Sequence, residues 1–243
     1  RERLQRATQE AAVLKTLEKR LRLDRPPDRI ECFDNSNLAG QDPVASMAVF
    51  KSGRPFKDGY RKYVIKGVEI QDDYAYMFHV LERRFSTSQT DMPLPDLLVV
   101  DGGKGQLGMA MAVLRELGLD GRFTVAGLAK KNADKGEEFD KIYVPGRSNP
   151  LNTSPARKAL YLLEQVRDEA HRFAVTFQRK RRQKRAGASI LDTVPGIGPK
   201  KKKVLLSHFK GISRMKKASM AELTALPGIN EKLALNLKAA LKG

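Results

Sequence analysis

The 243-residue sequence predicts an α/β domain, a mixed sheet flanked by helices, followed by a small all-α domain. Three observations predict it. Short apolar runs and amphipathic stretches follow one another as strand, strand, strand, helix, strand, helix, strand, helix. Near its end the chain repeats itself. LDTVPGIGPKKKKVLLSHF at 191–209 matches LTALPGINEKLALNLKAAL at 223–241 at a spacing of 32 residues, with Pro195 on Pro227. Charge is also uneven: of the formal +18, residues 178–217 hold +13, fourteen Lys/Arg against Asp192 alone.

Residues 1–22 read as a charged amphipathic helix, with Leu4, Ala11, Leu14, Leu17 and Leu21 near one face, ended by Pro26 and Pro27. Arg29 to Phe33, Ala45 to Lys51 and Tyr60 to Ile65 read as an antiparallel meander, with turns around Arg54-Pro55 and Asp58-Gly59. Asp72 to Phe85 reads as a helix, with Asp72 and Asp73 as caps. Leu97 to Val100 is wholly apolar and stops at Asp101, as buried parallel strands do. Gln106 to Leu117 is amphipathic, and Val125 to Ala129 and Lys141 to Val144 are short strands around a polar loop. Ser154-Pro155 is a helix start, predicting a helix from Pro155 to about Lys184 with RKRRQKR (179–185) as its basic tail. The expected division is a linker helix from an absent upstream region at 1–25, a first domain at 26–186 and a second at 187–243.

Composition narrows the function. A basic band of this size points to nucleic acid or another anionic surface. Cys32 is the only cysteine, so neither an internal disulfide nor a Cys-based zinc site can form. No apolar run is long enough to span a membrane, and nothing resembles a signal peptide, so a cytoplasmic location is expected. The chain begins with Arg rather than Met, and a fragment of something longer is expected. The GGKG at 102–105 invites a nucleotide site, but a phosphate-binding P-loop needs a glycine where Leu98 stands and a Ser or Thr after the lysine. No nucleotide cofactor is expected.

In each C-terminal repeat, Pro-Gly-Ile-(Gly/Asn) makes a tight turn before an amphipathic helix. Amides at such a turn suit an anion. The paired turns resemble a tandem helix-hairpin-helix module, a family that grips the DNA backbone without reading bases. That resemblance implies DNA contacts at Gly196, Gly198, Gly228, Lys200 and Lys201. Arg179, Lys180, Arg181 and Arg182 could form only a solvated helix end, but their place between two expected DNA-facing regions favours a phosphate track. Lys104 reads as a phosphate contact near Asp101 or as a turn lysine.

The element order resembles the RNase H-like fold, which cuts phosphodiesters with divalent metal held by carboxylates. The matching positions are Asp34 after the first strand, Asp101 at the end of the fourth, and Glu169 or His171 on the final helix. Taken singly, each has a plainer role: Asp34 and Asp101 as turn residues, His171 as a residue of an apolar seam, Glu169 as a salt-bridge acid. Asp168 is placed to pair with Arg172 at i+4. His79 and His208 read as structural or surface residues.

IECFDNSN (30–37), LLVVDGGKGQL (97–107) and VRDEAHRFAVTFQRKRR (166–182) are similar to the UvrC family of bacterial excision-repair nucleases. DPVASMAVF (42–50), YRKYVIK (60–66), DDYAYM (72–77) and PGIGPK (195–200) fit it too. The match covers nearly all of the chain after about residue 28, in order, and lacks the family's N-terminal GIY-YIG nuclease module. Asn35 and Asn37 stand where the family often has Ile and His. The resemblance implies incision 5′ to a lesion in double-stranded DNA already marked by UvrB. It places the catalytic groups on Asp34, Asp101 and His171, with Mg²⁺ or Mn²⁺ on Asp34 and Asp101. A non-catalytic DNA-binding scaffold and a junction or hybrid nuclease remain open alternatives on the same fold.

Overall fold

The computed structural model describes residues 2–34, 44–64, 73–86 and 92–242. The chain divides into two compact units, 1–175 and 176–243.

The first unit is built on one seven-stranded mixed sheet with helices on both faces, an RNase H-like arrangement. β1 (Arg29–Asp34) pairs antiparallel with β2 (Val44–Lys51), which pairs on its other side with β3 (Arg54–Pro55) and β4 (Arg61–Val64). β1 also pairs parallel with β5 (Leu97–Asp101), β5 parallel with β6 (Thr124–Ala129), and β6 antiparallel with β7 (Lys141–Tyr143). The order is β3-β2-β1-β5-β6-β7, with β4 on β2. The central strands are buried on both faces, which is why LLVV reads as an unbroken apolar run; β1 is as deeply buried but carries Glu31 at its middle.

Helix α1 (Glu2–Leu21) buries Leu14, Leu17 and Leu21 in this core, while Leu4 is 76% exposed and Ala11 is also exposed. The apolar stripe is thus shorter than the sequence suggested; beside the N-terminal half of α1, Glu10 pairs with Arg54 of the β2–β3 hairpin. That hairpin also corrects a turn. Arg54-Pro55 pairs with Phe50 and Lys51, and the turn is Ser52-Gly53, with φ of 51° and 79°. Both central residues are left-handed, the geometry that matches strand twist in a two-residue hairpin.

Helix α2 (Asp73–Phe85) packs beside α3 (Lys104–Glu116) on one face of the sheet. The long helix α4 (Arg157–Asp192) follows a 3₁₀ turn at Ser154–Ala156 and lies on the other face. The faces are told apart by alternation along β1: Glu31 is held by Arg84 of α2, and Asp34, three residues on, by His171 of α4. α4 does not stop near Lys184. It runs through Gly187 to Asp192, since one glycine between alanines costs a helix only about 1 kcal/mol and the next proline is Pro195. Ile65 and Asp72, expected as element ends, lie outside the described residues.

The second unit has its own all-hydrophobic core, from Leu191 to Leu241. The end of α4 leads through a turn to α5 (Pro199–Phe209), and α6 (Ile212–Lys217) connects to α7 (Met220–Thr224), a second turn and α8 (Glu231–Lys242). The duplication holds in the backbone of the turns. Ile197 N–H donates to the Val194 carbonyl and Ile229 N–H to that of Leu226, each at 3.1 Å. Leu191, Ile197 and Leu205 of the first copy and Leu223, Ile229 and Leu237 of the second are all buried. This is a tandem helix-hairpin-helix.

Candidate active site and nucleic-acid interface

The parallel register of β1 and β5 ends at Phe33 opposite Val100, so Asp34 and Asp101 are the next residues on neighbouring strands. Two acids emerge side by side at one edge of the sheet. Asp34 is fully buried, and His171 Nδ1 stands within hydrogen-bonding distance of its Oδ2, at 3.1 Å. The His171 ring is 44% exposed, so it spans from the buried carboxylate toward solvent. Ser46 lies opposite Asp34 on β2 and donates its hydroxyl to the Ala170 carbonyl at 2.8 Å, fastening the turn of α4 that presents His171.

Burial, and then the like charge of Asp34, push the Asp101 carboxyl above its ordinary range; Arg167, Lys130 and His171 partly oppose this. Arg167 is one helical turn before His171, buried, and held by Asp140 and by Asp168, the latter at 2.9 Å. Sequence reasoning does not single out Arg167, Asp140 or Lys130. The i, i+4 spacing of Arg167 and His171 is the one signal present. Cys32, buried beside these acids, has its thiol pushed well up by desolvation.

Of the expected site residues, the structure brings Asp34, Asp101 and His171 together. Glu169 is turned to other use, accepting from Tyr60 Oη at 3.0 Å and from Arg172 at 2.6 and 2.7 Å. Asp168 pairs with its neighbour Arg167, and Arg172 with Glu169 at i+3, in place of the Asp168–Arg172 pair expected from spacing. His79 is exposed beside Glu82, and His208 packs edge-on to Phe209. Asn35 and Asn37 lie outside the described residues.

The donor set suits a hard divalent cation: two carboxylates whose mutual repulsion a cation would relieve. Among the described residues no three His, Cys, Asp or Glu form a ready metal cage. An ion held here would draw further ligands from water or phosphate, as Mg²⁺ commonly does.

Lys104 is exposed in the first turn of α3. Arg179 is exposed on α4; the side chains of Lys180, Arg181 and Arg182 lie outside those described. In the hairpin unit the turn glycines differ. Gly196 and Gly228 are left-handed, with φ of 90° and 77°, whereas Gly198 has an ordinary φ of −83° and open space around it. Gly198 leaves α5 without a side-chain cap, while in the second copy Asn230 Oδ1 caps α8 by accepting from Leu233 N–H at 2.9 Å. Lys200 and Lys203 are exposed; Lys201 donates to the Gly196 carbonyl at 3.1 Å and Lys202 pairs with Asp192 at 2.6 Å. No helix among the described residues is long and apolar enough to cross a membrane.

Residues 18–175 match the model of the UvrC RNase H endonuclease domain, and residues 188–242 that of the SAM-like helix-hairpin-helix tandem. The UvrABC system protein C of Desulforapulum autotrophicum is 63% identical over 88% of this chain and 35% of its own length. That of Syntrophotalea carbinolica is 43% identical over all of this chain and 41% of its own. The chain therefore spans well under half the length of these relatives. Among solved structures, a Ciona intestinalis endonuclease V bound to inosine-containing DNA aligns over 74% of this chain and 98% of that one, at 12% identity and a TM-score of 0.40, too loose a likeness to carry an argument. With the endonuclease-domain model covering most of the chain and such relatives matching along nearly its whole length, the chain belongs to the UvrC family.

Proposed function

We propose that this chain is a divalent-metal-dependent DNA endonuclease that makes the 5′ incision at damaged double-stranded DNA in nucleotide excision repair, on a complex of DNA with UvrB. The observation that carries the reading is the placement of Asp34 and Asp101 on adjacent strand ends, with His171 bonded to Asp34. Mg²⁺ or Mn²⁺ held by these carboxylates would polarise the scissile phosphate and make water a nucleophile at neutral pH. Asp34 fixes the tautomer and direction of the His171 ring, leaving its half-exposed edge to move a proton at the attacking or leaving oxygen. The buried Arg167 adds fixed positive charge beside Asp101. The hairpin unit holds the DNA backbone through the amides of its turns and through Lys200, without reading bases.

The test is cleavage of a lesion-bearing duplex, a four-way junction and an RNA–DNA hybrid, with and without UvrB and with Mg²⁺, Mn²⁺ or chelator. The expected outcome is metal-dependent cutting on the 5′ side of the lesion, favoured by UvrB. Preference for the junction or the hybrid would transfer the activity to another substrate, and absence of cutting with all three would leave a DNA-binding scaffold.

A further inference from the structure

Two strands out from Asp34, the sheet carries a cation at the same level. Asp34 pairs with Ser46 across β1 and β2, and Ser46 pairs with Lys62 across β2 and β4. Directly paired residues share a face, and α4 meets all three there. His171 bonds Asp34, Ser46 bonds the Ala170 carbonyl, and the Lys62 ammonium stands 4.5 Å from the centroid of the Phe173 ring. Asp101 continues the row on the far side of Asp34.

The seat under Lys62 is built. Phe173 meets the Tyr60 ring edge-on at 5.1 Å, and the Tyr60 hydroxyl donates to Glu169, which is clamped by Arg172. Burial and the Glu169 charge raise the Tyr60 hydroxyl's pKa, so it stays a donor. Phe173 thus stands on the same turn of α4 that carries His171, with Tyr60 packed against it. A cation over a ring face is held electrostatically, a contact compatible with hydrogen bonds to a phosphate. Two strand spacings separate the Lys62 and Asp34 backbones by about 10 Å, a span of at most about three nucleotides of duplex rise.

We propose that Lys62 is a phosphate anchor for the strand being cut: seated on Phe173, it binds a backbone phosphate within about three nucleotides of the scissile bond and so sets where the cut falls. The inference rests on the reading of Asp34, Asp101 and His171 as the cutting site. Lysine fits the role because phosphate contacts set register and carry no sequence information.

The experiment replaces one phosphate at a time with a neutral methylphosphonate along the lesion strand, and titrates DNA affinity for the full chain and for Lys62→Met. On unmodified DNA, Lys62→Met should lose several-fold in affinity, and its salt slope should fall by about 0.9. One methylphosphonate position should cost the parent chain the same factor and cost Lys62→Met nothing further, while other positions weaken both proteins alike. Lys62→Arg should restore most of the loss, and melting temperatures should be unchanged. Unaltered affinity in Lys62→Met, or losses that multiply at every position, would overturn the anchor. Because the comparison is read in binding, it is decided even where no cutting occurs; that failure would count against the endonuclease reading alone. Where cutting occurs, Lys62→Met should spread it over neighbouring phosphodiesters, and a cut as sharp as the parent's would also overturn the anchor.

Discussion

Among the described residues, the first unit buries charge and the second does not. Arg29, Glu31, Asp34, Ser46, Arg84, Asp140 and Arg167, the buried polar and charged residues among those described, all lie before residue 176. Among the described residues the hairpin unit buries hydrophobic side chains and no charged one. Buried charges are costly unless paired, and here most are: Glu31 with Arg84 at 2.7 Å, Arg167 with Asp140, Asp34 with His171. A site that acts on a phosphodiester needs charges fixed in direction and shielded from water. A module proposed to hold a backbone by turn amides needs only a shape, and a small apolar core supplies it.

The sharpest way to break this contrast is to neutralise the buried acid. Asp34→Asn should reduce metal-dependent incision by about a thousand-fold or more, the several kcal/mol of metal chemistry expressed as rate, with DNA affinity largely intact. His171→Ala should do nearly the same, and any drop in melting temperature from depriving the buried Asp34 of its His171 partner should be far too small to account for the lost activity. Near-normal Mn²⁺-dependent cutting by Asp34→Asn, or loss of activity in His171→Ala only in proportion to unfolding, would make these residues structural.

Next in size is the ion pair behind the site. Arg84→Met leaves Glu31 charged and buried, keeping only its Arg29 partner, and should destabilise the first unit by about 3–5 kcal/mol. Urea unfolding followed by hydrogen exchange should show the hairpin amides unaffected. Equal loss of protection in both units would mean that they unfold together.

The hairpin unit should separate shape from access. Gly196→Ala forces a side chain into a left-handed position 3.3 Å from Leu233 and should cost that unit about 1–2 kcal/mol. Gly198→Ala meets nothing within 4 Å, so its stability should hold while DNA affinity falls, because a methyl group there obstructs a phosphate. Removing residues 188–243 should flatten the salt dependence of DNA binding, by about 0.9 for each phosphate that the shortened chain no longer neutralises. An unchanged slope would make the hairpins a protein-docking element.

The smallest effect concerns Asp101. Its carboxyl titrates higher folded than unfolded, so its ionisation disfavours folding once pH rises above the ordinary Asp range. In metal-free buffer Asp101→Asn should melt a few degrees above the parent at neutral pH, and the advantage should vanish as pH falls below the ordinary Asp value. A parent that gained nothing relative to Asp101→Asn on acidification would show that burial at Asp101 is milder than its surroundings imply.

Much of this architecture is legible in the sequence. The unbroken apolar run of β5 announces buried neighbours, and β1 and β5 both end on acids that stand side by side in the fold. The repeated Pro-Gly-Ile turn announces its own hydrogen bond twice. Legibility fails where two local interpretations compete. Ser52-Gly53 loses to the louder Arg54-Pro55 as a turn signal, and Asp168 points to Arg172 because i+4 spacing ignores what packs above the helix. Glu169 is a candidate metal ligand only until Tyr60 and Arg172 are seen to occupy it.

By itself, then, the amino-acid order determined what is local: strand and helix periods, left-handed turns, the basic band, and which acids end which strands. Periodicity and turn chemistry act over a few residues and need no partner to be read. The tertiary structure decided the encounters between distant residues: His171 on Asp34, Arg84 on Glu31, Lys62 level with the two acids. Those depend on sheet register and helix docking, where a slip of one residue turns every side chain to the other face. Nothing in the spacing of 62, 46, 34 and 101 along the chain encodes that they share a row.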